Sequence, residues 1–299
     1  MRMLRRSWKR YAATISLVAF SVAAWGEELL PDPMAVADEG AATVQLRIGG
    51  YPEVLQQHDT KELDAMINFK AFIESGFMGA EVTMFDKGAD ATAAFNAGAL
   101  DGIFLTSVDY FAIAEHVDEE HIYSLTWDGE PSQTYTLLTQ RKKRSVKRVA
   151  DLSGQELTLA IGTSLAALIL QAETKASGDP LRLKRVRRVR NSETAIVDLM
   201  FGKTDAVLVP TLAYEEMIKS NPQAGNTLKR VFVSEPYVPG VFVLHSQLPE
   251  LIRNQAVSSL MNMHNHETGR HILDLFHAKK VVRVRAEQLS NVRTLVATR

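Results

Sequence analysis

Short segments with the alternating apolar pattern of β-strands are separated by segments with the periodicity of amphipathic helices along most of this 299-residue chain. The predicted strands are Val44–Ile48, Glu81–Phe85, Gly102–Leu105, Ile122–Leu125, Thr134–Leu138, Leu157–Ile161, Leu181–Val189, Ala206–Val209, Arg230–Val233 and Val241–Leu244. The predicted helices are Leu63–Ile73, Thr92–Ala97, Ser164–Lys175, Thr194–Phe201, Glu250–Met263 and Thr268–Phe276. This order predicts an α/β fold with mostly parallel sheets flanked by helices. With 46% hydrophobic residues and balanced charge, a disordered, collagen-like or coiled-coil chain is excluded.

An internal repeat supports two similar halves. Gly98 to Tyr110 and Gly202 to Tyr214 both follow the pattern G-x-x-D-x8-Y, and each is preceded by a helix that contains Thr-Ala. Each copy predicts a helix, a glycine that ends it, a buried strand, a polar turn and a second helix. The polar turns are Thr106-Ser107 and Pro210-Thr211. Because open α/β sheets bind ligands at the carboxyl ends of their strands, Thr106, Ser107 and Thr211 become candidate binding residues.

Charge is distributed unevenly along the chain. Residues 27–140 contain 21 acidic and four basic residues, whereas residues 141–235 contain 17 basic and 10 acidic residues. The sign changes at Arg141-Lys142-Lys143-Arg144, which predicts a boundary between an acidic first lobe, residues 42–140 plus 236–299, and a basic second lobe, residues 141–235. Two solvated surfaces of different composition explain the same pattern. A basic lobe that attracts an anion is the functional alternative.

The N-terminus has the three-part layout of a secretory signal peptide. Five positive charges precede Tyr11, an apolar run follows from Ala12 to Ala24, and Ala24-Trp25-Gly26 ends in small residues before two glutamates. The apolar run is shorter than the roughly 20 residues that a membrane-spanning helix needs. We therefore expect residues 1–26 to direct export and to be removed near Gly26.

Several kinds of chemistry are excluded or disfavoured. The chain has no cysteine, which excludes disulfides, thiolate metal sites and a cysteine nucleophile. His264, His266 and His271 cluster, but His266 and His271 are five residues apart and do not share one helix face, so no metal site is predicted. Since no catalytic motif is evident, we expect a protein that is not an enzyme and has no cofactor.

The strongest local binding motif is Gly162-Thr163-Ser164, where a predicted strand ends and a helix begins. Glycine permits close approach of a ligand, and the first backbone amides of a helix bind anions together with nearby hydroxyls. An ordinary helix N-cap would use the same residues. The basic run Arg182–Arg190 is interpreted as an edge strand that is protected by charge, because it lacks the interleaved aromatic residues of a nucleic-acid surface.

Several segments together resemble the periplasmic phosphate/phosphonate-type substrate-binding proteins of ABC importers. They are Leu46–Pro52, Phe95–Ser107, Val149–Ser164, Asn191-Ser192, Gly202–Asp205 and Ser234–Pro239, in the order and spacing of that family. The resemblance covers about residues 44–285. It implies a bilobed type II periplasmic binding protein with two crossover strands and a ligand in the cleft. It places Tyr51, Thr106 and Ser107 on the first-lobe side and Thr163, Ser164, Asn191 and Ser192 on the second.

The resemblance implies a periplasmic protein of a Gram-negative bacterium, monomeric, that captures a small anion and delivers it to the permease of an ABC importer. A periplasmic subunit that reports its ligand to a receptor such as a sensor kinase is the alternative. The family often has a histidine at the Asn191-Ser192 turn and an acid that holds a ligand amine after the Asp205 strand. Here Val209-Pro210-Thr211 is neutral, which disfavours an aminoalkylphosphonate and leaves phosphate, phosphite, another oxyanion or an organic anion open. We expect no nucleic-acid partner.

Overall fold

The computed structural model describes residues 46–55, 80–160, 163–178, 181–189 and 191–297. In this part of the chain the strands are β1 (Leu46–Gly50), β2 (Ala80–Met84), β3 (Gly102–Thr106), β4 (Val117–Leu125), β5 (Tyr135–Gln140), β6 (Glu156–Leu159), β7 (Arg185–Arg188), β8 (Ala206–Pro210), β9 (Leu228–Val233), β10 (Gly240–His245) and β11 (Val281–Arg283). The α-helices are α1 (Pro52–Leu55), α2 (Gly88–Asn96), α3 (Ser107–Tyr110), α4 (Thr163–Ser177), α5 (Ser192–Met200), α6 (Thr211–Ser220), α7 (Pro222–Thr227), α8 (Glu250–Met261), α9 (Glu267–Leu275) and α10 (Ser290–Ala297).

The strands form two mixed sheets, each covered by helices. The first has the order β11-β4-β10-β3-β1-β2, with β1 parallel to β2 and β3. The second has the order β7-β6-β8-β5-β9, with β6 parallel to β7 and β8 and β5 antiparallel to β8 and β9. We call each sheet with its helices the first lobe and the second lobe. The predicted bilobed α/β fold is confirmed.

The chain crosses between the sheets twice, and the two crossover segments run side by side. The first crossover follows β4 and the second follows β9. Gln133 and Tyr237 form an antiparallel bridge in which each backbone N–H donates to the other residue's carbonyl at 2.9 Å. A narrow two-stranded connection of this kind is the element through which two lobes can hinge.

Two segments lie differently from the division expected from charge. Strand β5 belongs to the second sheet, so the chain has changed lobes before the basic run at Arg141. Because β5 is buried and uncharged along its whole length, the charge pattern could not show which lobe it joins. At the C-terminus, Val292 and Leu295 of α10 pack with Leu165 and Leu168 of α4 in the core of the second lobe. The segment 236–299 therefore does not belong to the first lobe alone.

Both copies of the G-x-x-D repeat form the predicted unit of helix, glycine, strand and helix. Gly98 and Gly202 adopt φ values of 70° and 76°, which a residue with a side chain rarely adopts. The aspartate then ties the following strand to its neighbour. The Asp101 carboxylate accepts the backbone N–H of Arg47 at 2.9 Å, and the Asp205 carboxylate accepts that of Glu156 at 2.8 Å.

Each aspartate also pairs with a cation. Asp101 forms an ion pair with Arg47 at 2.7 Å, and Asp205 pairs with Lys143. Burial alone would raise the pKa of Asp205, but the Glu156 amide and Lys143 outweigh it and hold that pKa below its usual value. The aspartate of the repeated motif thus links the amino end of each central strand, β3 or β8, to its neighbouring strand.

Most predicted elements are found within a few residues of their predicted ends. Strand β7 is an edge strand, as predicted, but only Arg185–Arg188 is paired. The predictions did not include α1, α7, α10 and β11. The predicted signal peptide and the predicted helix Leu63–Ile73 lie outside the described residues. Within the described residues, no helix is long and apolar enough to cross a membrane.

Asp205→Ala should lower the free energy of unfolding by about 1–3 kcal/mol at neutral pH, because the Glu156 amide and Lys143 lose their acceptor. The difference should shrink as the pH falls below the usual aspartate pKa of about 3.9 and through the lower value of the folded state, where the carboxylate is protonated. Urea unfolding at several pH values measures this. Asp86→Ala is the control, since among the described residues the Asp86 side chain has no hydrogen bond or ion pair, and equal losses in both variants would contradict the prediction.

Candidate ligand-binding site between the two lobes

The carboxyl ends of the central strands of both sheets carry the candidate residues. In the second lobe, β6, β7 and β8 lead to the N-termini of α4, α5 and α6, which therefore lie at one end of the sheet. In the first lobe, β1 ends before Tyr51 and β3 ends at Thr106. Oriented backbone amides and hydroxyls thus converge where the two sheets meet, as α/β ligand sites require.

The first-lobe half of the site is a hydrogen-bond network of Tyr51, Thr106 and Asp109. The Tyr51 hydroxyl accepts the backbone N–H of Thr106 at 2.8 Å and donates a short hydrogen bond to the Asp109 carboxylate. The Thr106 hydroxyl donates to the same carboxylate at 2.9 Å and accepts the Asp109 N–H at 3.1 Å, which caps the short helix α3. The predicted residues Tyr51 and Thr106 are therefore brought together.

The surroundings of Tyr51 keep its hydroxyl protonated. Burial and the nearby Asp109 charge both raise the pKa of Tyr51 far above its usual value. Gly88 at the start of α2 presses against this pair, because a Cβ there would lie 2.9 Å from the tyrosine ring and 3.0 Å from the Asp109 carboxylate. Tyr51 therefore acts as a fixed donor and acceptor and not as an acid.

Ser107 is placed differently from the expectation that it faces the cleft. Its side chain is fully buried, and its backbone N–H and its hydroxyl both donate to the Pro239 carbonyl, at 3.2 and 3.4 Å. Pro239 belongs to the second crossover segment. Ser107 thus attaches α3 to the hinge, and its donors are already used.

The second-lobe half is built around the N-terminus of α4, and a carboxylate from the first lobe occupies it. The Glu53 Oε1 atom accepts the backbone N–H of Ser164 at 2.9 Å and the Ser164 hydroxyl at 2.8 Å. Glu53 lies in α1, directly after Tyr51. Thr163 is the first residue of α4, and Gly162 lies outside the described residues. The helix end is thus already engaged with an oxyanion, supplied by the chain itself.

Asn191, Ser192 and Thr211 lie at the N-termini of the other two helices. The Asn191 side chain caps α5 by accepting the Thr194 N–H at 2.6 Å. Thr211 is held by Thr134, whose hydroxyl donates to the Thr211 hydroxyl at 2.8 Å and whose carbonyl accepts the Thr211 N–H at 2.9 Å. Asn191 and Thr211 therefore have structural partners, which leaves Ser192 as the hydroxyl of this group for which the structure gives no such role.

A polar cavity of about 350 Å³ lies beside these helix ends. It is lined by Asn191 and Ser192 at the start of α5, by residues of α6, and by Trp127, Gln133 and His277 from the first crossover and the first lobe. Its described lining includes two carboxylates, Glu193 and Glu216, and no lysine or arginine. Among these described lining residues, the groups available to hold an anion are backbone dipoles and neutral donors.

A second cavity, of about 100 Å³, lies in the first lobe between the sheet and helices α8 and α9. Phe104, Phe242, Leu260 and Ile272 are among its lining residues, which are mostly apolar. It offers a charged ligand few polar partners, so the polar cavity and the α4 terminus are the better candidate site.

The clustered histidines lie in different local elements. His264 lies in a 3-10 turn, His266 precedes α9, and His271 is exposed on α9. Among the described residues, no three histidine or acidic side chains are grouped closely enough to hold a metal ion.

The sequence analysis did not identify the site residues that come from distant parts of the chain. Glu53, Asp109, Trp127, Gln133 and His277 all contribute to this region. Asp109 alone had a local signal, because it lies three residues after the N-cap residue Thr106, where an acid often accompanies an N-cap threonine. Glu53 lies 111 residues from Ser164 in the chain, and no sequence pattern connects them.

The fold and this site define a bilobed periplasmic binding protein. The chain belongs to the family of phosphonate ABC transporter periplasmic substrate-binding proteins, whose family model matches residues 57–289. Members of this family are substrate-binding components of ABC importers and not enzymes, which favours the importer role over the sensor. Their family role also implies a periplasmic location.

Solved structures agree on the fold. The chain superimposes with a TM-score of 0.62 on PhnD1 from Prochlorococcus marinus in complex with methylphosphonate, at 15% identity over 85% of this chain and 97% of that one. A binding protein component of an ABC phosphonate transporter from Pseudomonas aeruginosa gives a TM-score of 0.61, at 12% identity over 85% of each chain. No protein with a curated description matches the sequence significantly.

Tyr51→Phe should lower the free energy of unfolding by about 1–2 kcal/mol, because the Thr106 amide and the Asp109 carboxylate lose a buried partner. Tyr110→Phe is the matched control, since the buried Tyr110 hydroxyl has no hydrogen-bond partner among the described residues, and its removal should be neutral or stabilising. Chemical denaturation of both variants measures the difference. Equal effects would mean that the Tyr51 network contributes nothing to the folded state.

Proposed function

We propose that this protein binds a small phosphoryl oxyanion, phosphate-like or phosphonate-like, between its lobes and delivers it to the permease of an ABC importer. The second-lobe ligands are the N-terminus of α4 with Gly162, Thr163 and Ser164. Tyr51 and Thr106, which are buried and hydrogen-bonded to each other and to Asp109, support the opposing side of the cleft in the first lobe. Asn191, Ser192 and Thr211 shape the side of the cleft and hold its helix ends in place.

The observation that carries this proposal is the hydrogen bonding of Glu53. One carboxylate oxygen accepts both the Ser164 amide and the Ser164 hydroxyl, at 2.9 and 2.8 Å. A phosphoryl oxygen carries the same charge and accepts the same donors, so Glu53 occupies the position that we assign to the ligand. The proposed ligand replaces Glu53 at this helix terminus.

Binding and closure are coupled in this arrangement. The lobes are joined by the paired crossover segments at Gln133 and Tyr237, and they touch where Glu53 meets Ser164. A ligand that contacts both lobes stabilises the state in which they are together, to the extent that it binds that state better. Glu53 provides part of that stabilisation in the absence of ligand.

The carboxylates of the polar cavity bear on the ligand class. Glu193 and Glu216 lie on the cavity lining, where the sequence around Thr211 had indicated a neutral surface. The amine of a ligand that also carries an oxyanion could pair with these carboxylates. A simple anion would instead meet their uncompensated negative charge. The ligand panel therefore includes 2-aminoethylphosphonate beside methylphosphonate.

A thermal-shift panel tests the proposed function. Purified protein, unfolded and refolded once to remove carried ligand, is heated with phosphate, phosphite, methylphosphonate, 2-aminoethylphosphonate, sulfate, taurine and acetate. A ligand at about 100 times its Kd adds roughly 2.7 kcal/mol, which raises Tm by a few degrees. We expect this from at least one phosphorus oxyanion and not from acetate. A panel without any shift would contradict the proposal.

Glu53→Gln should bind the oxyanion roughly tenfold more tightly than the wild type, because the ligand then displaces a neutral amide instead of a charged acceptor. Ser164→Ala should bind it roughly tenfold more weakly, through loss of one donor. Titration calorimetry gives both affinities, and the fluorescence of Trp127, which lines the cavity, gives an independent signal.

Glu115→Gln is the control for these variants, because it removes an exposed first-lobe carboxylate that lies in a 3-10 turn after α3. Its affinity should equal that of the wild type. Weaker binding by Glu53→Gln would mean that Glu53 belongs to the ligand-binding surface and does not compete with the ligand. Unchanged binding by Ser164→Ala would remove the α4 terminus from the site.

A further inference from the structure

Six exposed basic residues of the second lobe lie at the end of its sheet that is farthest from the cleft. Gln140 ends β5 opposite the first residue of β9, Thr139 pairs with the first residue of β8, and Glu156 pairs with Arg185. These residues define one end of the sheet, whereas α4, α5 and α6 begin at the other end. We use the name basic pole for the exposed side chains at this end: Arg141, Lys142, Arg144, Lys147, Arg182 and Arg185.

Hydrogen bonds hold the segments of the basic pole together. The Arg141 amide donates to the Thr227 carbonyl at 2.8 Å, and Lys229 Nζ donates to the Val146 carbonyl at 2.7 Å. The loop before β7 is attached through the Gly154 amide, which donates to the Arg182 carbonyl at 2.7 Å. The cations therefore lie on a fixed surface, although they come from separate parts of the chain.

The acids of this end are already paired. Asp205 pairs with Lys143, Glu156 pairs with Lys184 at 3.3 Å, and Asp151 accepts the backbone amides of Lys147 and Arg148. Within the described part of the chain, the six cations of the basic pole form no ion pair. Their positive charge is uncompensated and faces solvent.

An exposed aromatic side chain lies on the same surface. Phe201 follows α5 and is 75% exposed. Its position beside the pole is fixed by the Gln140 side chain, which donates to the Leu199 and Met200 carbonyls at 2.8 and 3.0 Å. An exposed apolar side chain on the same surface as unpaired cations is an arrangement by which proteins attach to the interface of an anionic bilayer.

We propose that the basic pole docks on the surface of a membrane that contains anionic phospholipid, with Phe201 at the lipid interface. An acidic protein surface would suit the cations, but it would not need a protruding apolar residue among them. The family role places the protein beside a membrane importer, so such a surface is within reach. Because the pole and the helix N-termini lie at opposite ends of one sheet, docking leaves the ligand cleft free.

Vesicle binding tests this proposal. The full chain as purified, its N-terminus defined by mass spectrometry, is sedimented with vesicles of phosphatidylcholine alone or with about 30% phosphatidylglycerol. We expect binding to the anionic vesicles only, and its loss as salt is raised from about 0.05 to about 0.5 M. Free phosphate at equal ionic strength should not compete, which separates a lipid surface from a phosphate site.

Matched variants locate the contact. Lys142→Gln with Arg144→Gln should weaken binding to anionic vesicles on the order of 20-fold. Lys279→Gln with Lys280→Gln, which removes two exposed adjacent cations of the first lobe, should not change it. Phe201→Ser should also weaken binding but keep its salt dependence. Any contribution of the N-terminal segment is the same in all variants.

The outcomes are distinct. Equal binding by the pole variant and the first-lobe variant would overturn the proposal, as would equal binding to neutral and anionic vesicles. Binding to no vesicle would overturn it in favour of an acidic protein partner. Circular dichroism confirms that each variant is folded. The thermal-shift panel is independent, because a pole variant should respond to ligand as the wild type does.

Discussion

The first backbone amides of α4 have no acceptor inside their own helix, and the rest of the site depends on how they are satisfied. Here the acceptor is Glu53, which comes from the other lobe and binds the Ser164 amide and hydroxyl through one oxygen. A local requirement of one helix thus becomes a contact between lobes. A ligand oxyanion at this position would connect the two lobes in the same way, because both lobes would contact it.

The molecule separates two uses of positive charge. In the described cleft, positive potential comes from helix termini and hydroxyl donors, which are already oriented and need no desolvated lysine or arginine. The six exposed cations of the basic pole lie at the opposite end of the second sheet, where water can solvate them. Much of the basic character of residues 141–235 therefore lies on an outer surface, and the described lining of the polar cavity contains no lysine or arginine.

The sequence predicted well wherever the signal was local. The G-x-x-D repeat gave the order of helix, glycine, strand and helix in both lobes, because positive φ and a buried strand each leave a mark on nearby residues. It predicted less well where a residue has two possible partners. Ser107 looked like a ligand donor, but it binds Pro239 of the crossover segment, and Asn191 has its side chain engaged in capping α5. A hydroxyl or amide beside a helix start serves either role, and only packing selects one.

The sequence by itself determined the α/β class, nearly all strands and helices, and the positions of the strand ends that face the cleft, because these follow from periodicity and turn chemistry. Tertiary structure decided which sheet received β5, where α10 packed, and that Glu53 reached Ser164. The reason is physical. The sheet that a strand joins, and a contact between residues 111 positions apart, depend on the free energy of the whole assembled core. No short window of sequence contains all the interactions that contribute to that free energy.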